Sequence, residues 1–224
     1  MTEFALRLYD DRLAVKATLG RPLPATNRVL YVTEGMASVS AGGASATLSA
    51  NSAWFSAAEA AVTSGNDGAR LLRYELAEAT APQSNIAAAG DGNITSTLLL
   101  EALVDLAKGE DYLMRCDRVD LPPGGIAYTH THQGPGTRCL LQGGFVVETK
   151  GHRTEIAPGE AWFESGPDPV LAWAPDDRPG YFSRVMILPR ALKGKSSLTY
   201  VNPEDADKPK LQRYTIFIDE FITL

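Results

Sequence analysis

The feature that most constrains the fold is an internal repeat, in which the first half of the chain resembles the second. The tripeptide Ala-Trp-Phe occurs at 53–55 and again 108 residues later, at 161–163. At the same offset and without gaps, 35–62 and 143–170 share seven identical residues in 28 positions, where ordinary residue frequencies give about two. This period is too long for a solenoid repeat, so the sequence predicts two copies of one small domain.

Both halves carry short segments that are typical of β-strands. These segments are rich in β-branched, aromatic or apolar residues, and clusters of Gly, Pro, Asn and Asp separate them. They lie at 28–33, 44–48, 69–76, 112–121, 139–141, 145–148 and 182–188. Strands at this spacing predict barrels or sandwiches rather than alternating strands and helices. The C-terminal segment 214–224 is also predicted as a strand, which either pairs with the first half or supplies an edge for an oligomer.

A single helix is predicted between the halves, over residues 95–108. The segment places Leu98, Leu99, Ala102 and Leu106 near one helical face. Thr95 or Ser96 is the expected N-cap, and Gly109 is expected to end the helix.

The preceding residues, 77–93, are rich in Ala, Gly and polar side chains, and we interpret them as a linker between the halves. The predicted division is therefore a first barrel at 1–85 and a linker with the helix at 86–109. A second barrel, which includes the C-terminal strand, occupies 110–224.

Composition excludes several classes of function. The formal net charge of -6 and a pI of about 5.1 argue against binding to nucleic acid or to an anionic membrane. No run of about 18 apolar residues is present, and charged residues near Met1 stand where a signal peptide is apolar. We therefore expect a cytoplasmic protein in which Cys116 and Cys139 are free thiols.

The segment from Gly124 to Gly143 contains the candidate metal-binding residues. It contains His130-Thr-His132 after a Pro-Pro-Gly-Gly turn. Residues i and i+2 of a strand face the same side, so both imidazoles point inward or both point outward. Two inward imidazoles at that separation can chelate one divalent metal ion. The alternative is that both histidines line a polar pocket and form hydrogen bonds there.

This segment resembles the first motif of the cupin family, in which Gly, five residues and His-x-His precede an acidic ligand and a closing Gly. Gly159-Glu160 is similar to the turn that opens the second cupin motif. The resemblance implies an all-β fold of two tandem double-stranded β-helix barrels, a bicupin, with one short interposed helix. It also implies a homodimer.

The chain departs from the family pattern at several ligand positions. Gly136 stands where cupins usually have a glutamate, and Val170 stands where they usually have a third histidine. In the first half, Pro22 and Pro24 correspond to His130 and His132, so the first barrel is predicted to be free of metal.

A replacement carboxylate is therefore needed in the second half, and Glu164 is the best candidate because it lies on the strand that opens the second motif. We expect Glu164 to complete the metal site or to act as a base. Gln133 is a weaker candidate, since it faces away from His132.

Three further side chains are candidates for the site. Arg138 shares its parity with the histidines and would anchor a carboxylate or enolate, unless it pairs with a surface acid. Tyr128 has the same parity and is a candidate catalytic phenol at the mouth of the cavity. Trp162 is a candidate substrate contact, although its recurrence as Trp54 favours a role in packing.

The resemblance implies a small-molecule enzyme with its site in the second barrel. It would be a dioxygenase, isomerase, decarboxylase or hydrolase acting on a small carboxylated or enolisable compound, and its divalent metal would be Fe, Mn, Ni or Zn. The fold does not choose among these activities. The alternatives are a non-catalytic protein that binds a small ligand, and a partner-binding module whose cavity is filled by side chains.

Overall fold

The structure, a computed structural model, describes residues 3–84, 86 and 93–224. It consists almost wholly of antiparallel β-strands and divides into two compact units, Met1–Ala107 and Lys108–Leu224. The all-β prediction is confirmed. The division between the units falls just before Lys108, the last residue of the segment that was predicted as a helix.

The first unit is one antiparallel sheet packed on an apolar interior. Its strands are β1 (Glu3–Leu13), β2 (Asn27–Ala41), β3 (Ala44–Ser49), β4 (Ser52–Ser56), β5 (Ala60–Glu78) and β6 (Ile94–Asp105). The order along the sheet is β3-β2-β5-β1-β6, and β4 pairs with β2. Residues of β2 and β5, including Leu30, Val32 and Leu71, are buried in its core.

The second unit consists of two five-stranded sheets. Its strands are β7 (Asp111–Leu121), β8 (Ile126–His132), β9 (Gly136–Gly143), β10 (Phe145–Thr149), β11 (His152–Ile156), β12 (Ala161–Glu164), β13 (Val170–Trp173), β14 (Gly180–Pro189), β15 (Leu198–Tyr200) and β16 (Arg213–Thr223). One sheet has the order β11-β10-β13-β8-β15, and the other has β12-β9-β14-β7-β16. Two short 3-10 turns, Arg190–Leu192 and Pro203–Ala206, precede and follow β15.

Aromatic side chains from both sheets fill one end of this second interior. The ring of Phe145 on β10 lies 5.6 Å from Trp162 on β12 and 5.0 Å from Phe182 on β14, measured between centroids. Tilted contacts at these distances add to the free energy of apolar burial. Beside this cluster the interior becomes polar, and the candidate site lies there, since Trp162 Nε1 donates to Glu164.

The internal repeat predicted from the sequence corresponds to matching strand positions. Trp54 on β4 lies opposite Leu30 on β2, and Trp162 on β12 lies opposite Arg138 on β9. Both residues of the second pair lie 108 positions after those of the first. The two halves therefore share strand register as well as sequence.

A repeated glycine has a steric explanation. Gly35 and Gly143 both have positive φ angles, +71° and +87°. A Cβ atom would lie 2.2 Å from the carbonyl oxygen of Gly68 in the first case and 1.7 Å from that of Pro179 in the second. Only glycine fits this left-handed, closely packed position, which is why the residue occurs in both copies.

The predicted helix at 95–108 is wrong, because most of this segment forms β6. Strand β6 pairs antiparallel with β1, and Leu6 lies opposite Ala102 while Leu8 lies opposite Leu100. The leucine-rich run satisfies both a helical and an alternating pattern. Pairing with a strand far earlier in the chain decides between them, and local propensity does not report such a partner.

The predicted domain limits change accordingly. The segment 86–109 is not a linker with a helix, since β6 is part of the first unit's sheet. The first unit therefore extends past the predicted limit of 85 to Ala107, and the second unit begins at Lys108 instead of 110. Part of the predicted linker, at 85 and 87–92, lies outside the described residues.

The C-terminal strand β16 pairs with β7 of its own unit and lies at the edge of that sheet. It corresponds in this respect to β6, which pairs with β1 at a sheet edge of the first unit. The prediction of a C-terminal strand is confirmed, and its partner is a strand of the second half.

Two smaller expectations concern cysteines and membrane spans. Cys116 and Cys139 are both buried thiols that form no disulfide, as predicted. Within the described ranges, no helix has the length and apolar character needed to cross a bilayer.

Candidate metal centre

Three potential metal ligands meet in the polar part of the second unit's interior. His130 and His132 lie on β8 and Glu164 lies on β12, and one ligand atom from each falls within 4.8 Å of the others. All three side chains are buried, at 5%, 5% and 8% exposure. The replacement carboxylate expected from the sequence is thus beside the histidine pair.

Strand β8 directs both imidazoles to the same side. It lies between β13 and β15, where His130 pairs with Val170 and with Tyr200, and His132 pairs with Leu198. The imidazole rings have centroids 4.9 Å apart and planes at 81°. Neighbouring strands on both sides therefore fix the two rings in one position.

Hydrogen bonds determine which nitrogen of each histidine is available to bind a metal. His130 Nδ1 lies 2.7 Å from the carbonyl oxygen of Tyr128. A carbonyl only accepts, so Nδ1 carries the proton and Nε2 is unprotonated. Arg184 Nη1 donates to His132 Nε2 at 3.5 Å, and His132 Nδ1 lies 3.2 Å from Ser197 Oγ. His132 therefore has the same tautomer, with Nε2 as its ligand atom.

Burial keeps both imidazoles neutral. Loss of solvent lowers the pKa of His130 below its ordinary value, although the nearby Glu164 carboxylate opposes that effect. Burial also lowers the pKa of His132, strongly, and the positive charges of Arg184 and Arg138 lower it further. A metal ligand must be unprotonated, so these shifts prepare both histidines for a cation.

Glu164 supplies a carboxylate directly opposite the position where the cupin pattern expects one. Glu164 on β12 pairs with Gly136 on β9. A Cβ at position 136 would lie 2.7 Å from the carbonyl oxygen of Val185 and 2.7 Å from Met186 Cγ. Position 136 cannot hold a side chain without movement of β14, and the neighbouring strand provides the acid instead.

Both oxygens of Glu164 have partners. Trp162 Nε1 donates to Oε1 at 3.0 Å, and Arg138 Nη2 lies 2.6 Å from Oε2. Arg138 Nη1 also donates to the carbonyl oxygen of Gly136 at 2.7 Å. Oε2 lies 3.6 Å from His132 Nε2 as well. A metal bound here would therefore share this oxygen with Arg138 or take it from Arg138.

The structure corrects the predicted position of Tyr128. The pairing of β8 with β13 shifts register between His130 and Ala127, so the parity argument fails at this point. The Tyr128 ring lies 4.8 Å from Lys208 Nζ and 5.5 Å from Lys210 Nζ. Its contact with the cluster is the carbonyl oxygen that binds His130.

Two other candidates from the sequence, Trp162 and Gln133, do not lie where a substrate contact or a metal ligand would. Trp162 packs among the core aromatics, as its recurrence suggested, and its indole NH positions Glu164. The side chain of Gln133 is exposed, in agreement with its predicted outward direction.

An arginine–aspartate pair beside the histidines was not predicted from the sequence. Arg184 on β14 binds Asp117 on β7 through Nε at 2.7 Å and Nη2 at 3.0 Å. Burial tends to lower the pKa of Arg184, but Asp117 outweighs that effect and the pKa is raised. The signal was the internal repeat, in which a three-residue insertion after the gapless part aligns Arg184 with Arg73, another buried arginine.

The donor set fits a divalent transition metal. It offers two unprotonated imidazole nitrogens and one carboxylate oxygen, the ligand types that Fe, Mn, Ni and Zn share. Supporting hydrogen bonds are also present, because Tyr128, Ser197 and Trp162 each hold one ligand side chain.

Comparisons with known proteins find similarity at the level of structure. No protein-family profile and no curated protein sequence matches the chain. A single-residue variant of Bacillus subtilis oxalate decarboxylase has a TM-score of 0.65 and 13% identity, over 91% of this chain and 73% of that chain. The same enzyme at pH 4.6 gives a TM-score of 0.66 and 13% identity, over 91% and 72%.

A third structure concerns the Mn(II) centres of that decarboxylase, with a TM-score of 0.62 and 13% identity over 91% and 73% of the two chains. Identity at this level establishes the fold and not the activity. The two-sheet architecture, the histidine pair on β8 and these neighbours agree, and the chain has the all-β barrel fold of the cupins.

Proposed function

We propose that the second unit is a metal-dependent enzyme of the cupin type, in which His130, His132 and Glu164 hold one divalent ion. Its substrate would be a small carboxylated or enolisable compound. The observation that carries this proposal is the convergence of three buried ligand atoms, with both Nε2 atoms left unprotonated by their hydrogen bonds.

Manganese is the first metal to test, because the similar decarboxylase has Mn(II) centres; Fe, Ni and Zn share the same donor preferences. Bound at this site, a divalent ion would supply a Lewis acid that polarises a substrate oxygen. The chain contributes fixed ligand tautomers and a buried position that excludes bulk water.

The charges around the site favour an anionic substrate. Arg138 and Arg184 balance Glu164 and Asp117 in the cluster, and both histidines are neutral. A divalent ion adds two positive charges to this balanced set. Buried charge needs compensation, so a carboxylate or enolate is the ligand that the loaded site would bind best.

In this proposal Glu164 is a metal ligand, not a free base, because Oε2 faces His132 and Oε1 accepts from Trp162. Arg138 acts on Glu164 and does not anchor substrate directly. The Tyr128 phenol has no catalytic role here, since its ring packs against lysines.

The second candidate function is a non-catalytic protein that binds a small ligand. The 2.6 Å ion pair between Arg138 and Glu164 favours it, because the arginine already neutralises the carboxylate that a metal would need. Such a pair would compensate the buried carboxylate in a protein that had lost its metal.

The decisive experiment combines metal loading with turnover. The purified chain is loaded separately with Mn(II), Fe(II), Ni(II) or Zn(II), and small carboxylic acids of about two to four carbons, including oxalate, are followed by NMR. We expect one ion per chain and turnover of at least one acid, with both lost in His130→Ala and in His132→Ala. The control is His152→Ala, which removes the exposed third histidine.

Metal binding without turnover of any acid in the panel would favour the non-catalytic alternative. Metal content that is substoichiometric and unchanged by either substitution would contradict the metal centre itself. A cytoplasmic homodimer stays a prediction, and sedimentation of the purified chain tests its oligomeric part.

A further inference from the structure

A small cavity lies next to the metal centre in the second unit. It has a volume of about 220 Å³ and lies between β7, β14, β16 and the segment 194–198. Its lining includes the polar side chains Arg115, Asp117, Arg184, Lys195 and Ser197. The volume equals that of about seven water molecules, so the cavity suits a small ligand.

Two lining residues connect the cavity to His132. Arg184 Nη1 lies 3.5 Å from His132 Nε2, and Ser197 Oγ lies 3.2 Å from His132 Nδ1. Both side chains are buried, at 6% and 3% exposure. A ligand in the cavity would therefore contact groups that also contact a candidate metal ligand.

The charge of the lining is opposite in sign to that of the chain. Arg115 is paired with Asp219 and Arg184 with Asp117, so Lys195 leaves the lining with an excess of one positive charge, whereas the whole chain has a formal charge of -6. A positive cavity in an acidic protein concentrates anions locally.

The wall of the cavity is held in place by hydrogen bonds. Arg115 donates to the carbonyl oxygens of Lys195 and Leu192, both at 2.7 Å, and its Nε lies 2.8 Å from Asp219. These bonds fix the segment that closes the cavity. A rigid wall lowers the entropic cost of binding a small ligand.

Arg184 has one nitrogen whose partner would change on metal binding. Its Nε and Nη2 are engaged by Asp117, and Nη1 donates to His132 Nε2. If Nε2 binds a metal, its lone pair is no longer available to Nη1. Nη1 then needs another acceptor, and an oxygen of an anion beside the metal is the natural one.

From this geometry we propose that the cavity is a subsite for small carboxylate anions, with Arg184 Nη1 as the donor that orients the carboxylate and Lys195 as a second positive charge. The inference names the residue that would bind the substrate carboxylate. It rests on the proposed function, because a metal bound to His132 Nε2 is what frees Nη1 for that carboxylate. It assigns carboxylate binding to Arg184, not to Arg138, for which the sequence predicted that role.

The test is calorimetric titration with malonate, using propanediol with both hydroxyls terminal as the uncharged control. Both are titrated into the Mn(II)-loaded and the metal-free chain. We expect malonate to bind the loaded chain at least about tenfold more tightly than the metal-free chain, and the diol not to bind.

Two variants probe the arginine and the lysine. Arg184→Lys keeps a positive charge beside Asp117 but loses the planar fork, and we expect it to weaken malonate binding about tenfold or more without changing the metal content. Lys195→Gln should weaken binding about two- to fivefold, since its charge is exposed.

Lys193→Gln is the matched control for Lys195→Gln. Lys193 is exposed and directly precedes the segment 194–198, but it lies against Phe221 and Glu220 and does not line the cavity. We expect its malonate affinity to equal that of the unaltered chain.

The outcomes separate this inference from the proposed function. Metal binding without malonate binding, or malonate binding that neither Arg184→Lys nor Lys195→Gln weakens, overturns the subsite and leaves the metal centre standing. Malonate binding that depends on Arg184 in a chain that takes up no metal contradicts the proposed function and, with it, the release of Nη1 by a bound metal.

Discussion

The buried polar groups of the first unit differ in kind from those of the second. In the first unit, Arg28 Nε lies 2.7 Å from Glu75, and Arg73 lies 2.8 Å from Glu75 and 2.6 Å from Asp11. Two arginines thus balance two carboxylates. Burial opposes the charge of Arg73, but its acidic neighbours outweigh that effect and raise its pKa.

In the second unit, the polar part of the interior contains two neutral histidines beside its arginines and carboxylates. Pro22 and Pro24 occupy the matching positions of the first half, and Arg28 matches Gly136. The first half contains no histidine and its buried carboxylates are paired with arginines, whereas the neutral imidazoles of the second unit offer a lone pair to a cation. One duplicated fold thus has a closed ionic cluster in one copy and a potential ligand site in the other.

The largest expected effect comes from removing a buried arginine from the ionic cluster of the first unit. Arg73→Met leaves the buried Asp11 and Glu75 without their shared cation, and we expect a loss of about 3–5 kcal/mol in the free energy of unfolding of that unit. Metal affinity should not change. Chemical denaturation followed by circular dichroism measures the first, and calorimetric titration with Mn(II) measures the second.

The matched control is Arg12→Met, which removes an arginine with 61% side-chain exposure that pairs with Asp10. Surface pairs of this kind contribute at most about 1 kcal/mol. Equal losses in Arg73→Met and Arg12→Met would show that the buried cluster contributes no more to the stability of the first unit than a surface pair does.

The second effect concerns Glu164, the carboxylate of the candidate metal centre. Glu164→Gln keeps an acceptor for Trp162 but removes the anionic ligand, and we expect affinity for Mn(II) to fall at least about 100-fold, as the loss of a ligand should exceed the loss of a residue that supports one. Glu155→Gln, on the exposed face of β11, is the control. An unchanged affinity in Glu164→Gln would remove this residue from the site.

A third prediction tests whether Arg138 competes with the metal for Glu164 or supports the metal-bound state. Because Arg138 Nη2 lies 2.6 Å from the oxygen that faces His132, Arg138→Met should tighten Mn(II) binding about tenfold while lowering the thermal stability of the metal-free chain. Titration and thermal melts with and without metal measure both changes. Weaker Mn(II) binding in the variant would mean that Arg138 supports the bound state instead of competing with it.

The pH dependence of the metal-free chain gives the smallest effect. Both histidines have pKa values below their ordinary one when folded, so the unfolded chain binds protons first as the pH falls through about 6.5. The stability that these histidines contribute is therefore complete above that pH and declines below it. The decline is at most about 1.4 kcal/mol between pH 7 and 6 for the two histidines together.

Thermal melts in the presence of a chelator measure this decline. The double variant His130→Ala/His132→Ala should lose most of it, whereas His152→Ala should retain it because that side chain is exposed. The same decline in the double variant would assign the pH dependence to groups elsewhere.

Much of the fold was predictable because duplication repeats the same packing in both halves. The repeated Trp54 and Trp162, and the repeated Gly35 and Gly143, occupy equivalent places in the two units. The helix predicted at 95–108 was wrong for the opposite reason, because the pairing of β6 with β1 joins segments far apart in sequence.

The same distinction, between what local sequence predicts and what distant pairing decides, holds for the residues of the site. Spacing on one strand is enough to bring His130 and His132 together, and Glu164 followed from the need for a carboxylate on a neighbouring strand. Cross-strand register decides the rest, since a bulge in β8 removes Tyr128 and the pairing of β14 with β7 brings in Arg184. Such register is set by tertiary packing and is not visible in local spacing.

The most direct test of the division between a closed cluster and a ligand site is anomalous diffraction from crystals soaked in Mn(II). We expect one peak at about 2.0–2.2 Å from His130 Nε2, His132 Nε2 and a Glu164 oxygen. No peak is expected in the cluster formed by Arg28, Arg73, Asp11 and Glu75. A histidine pair without a peak, or a peak in the first unit's cluster, would contradict that division.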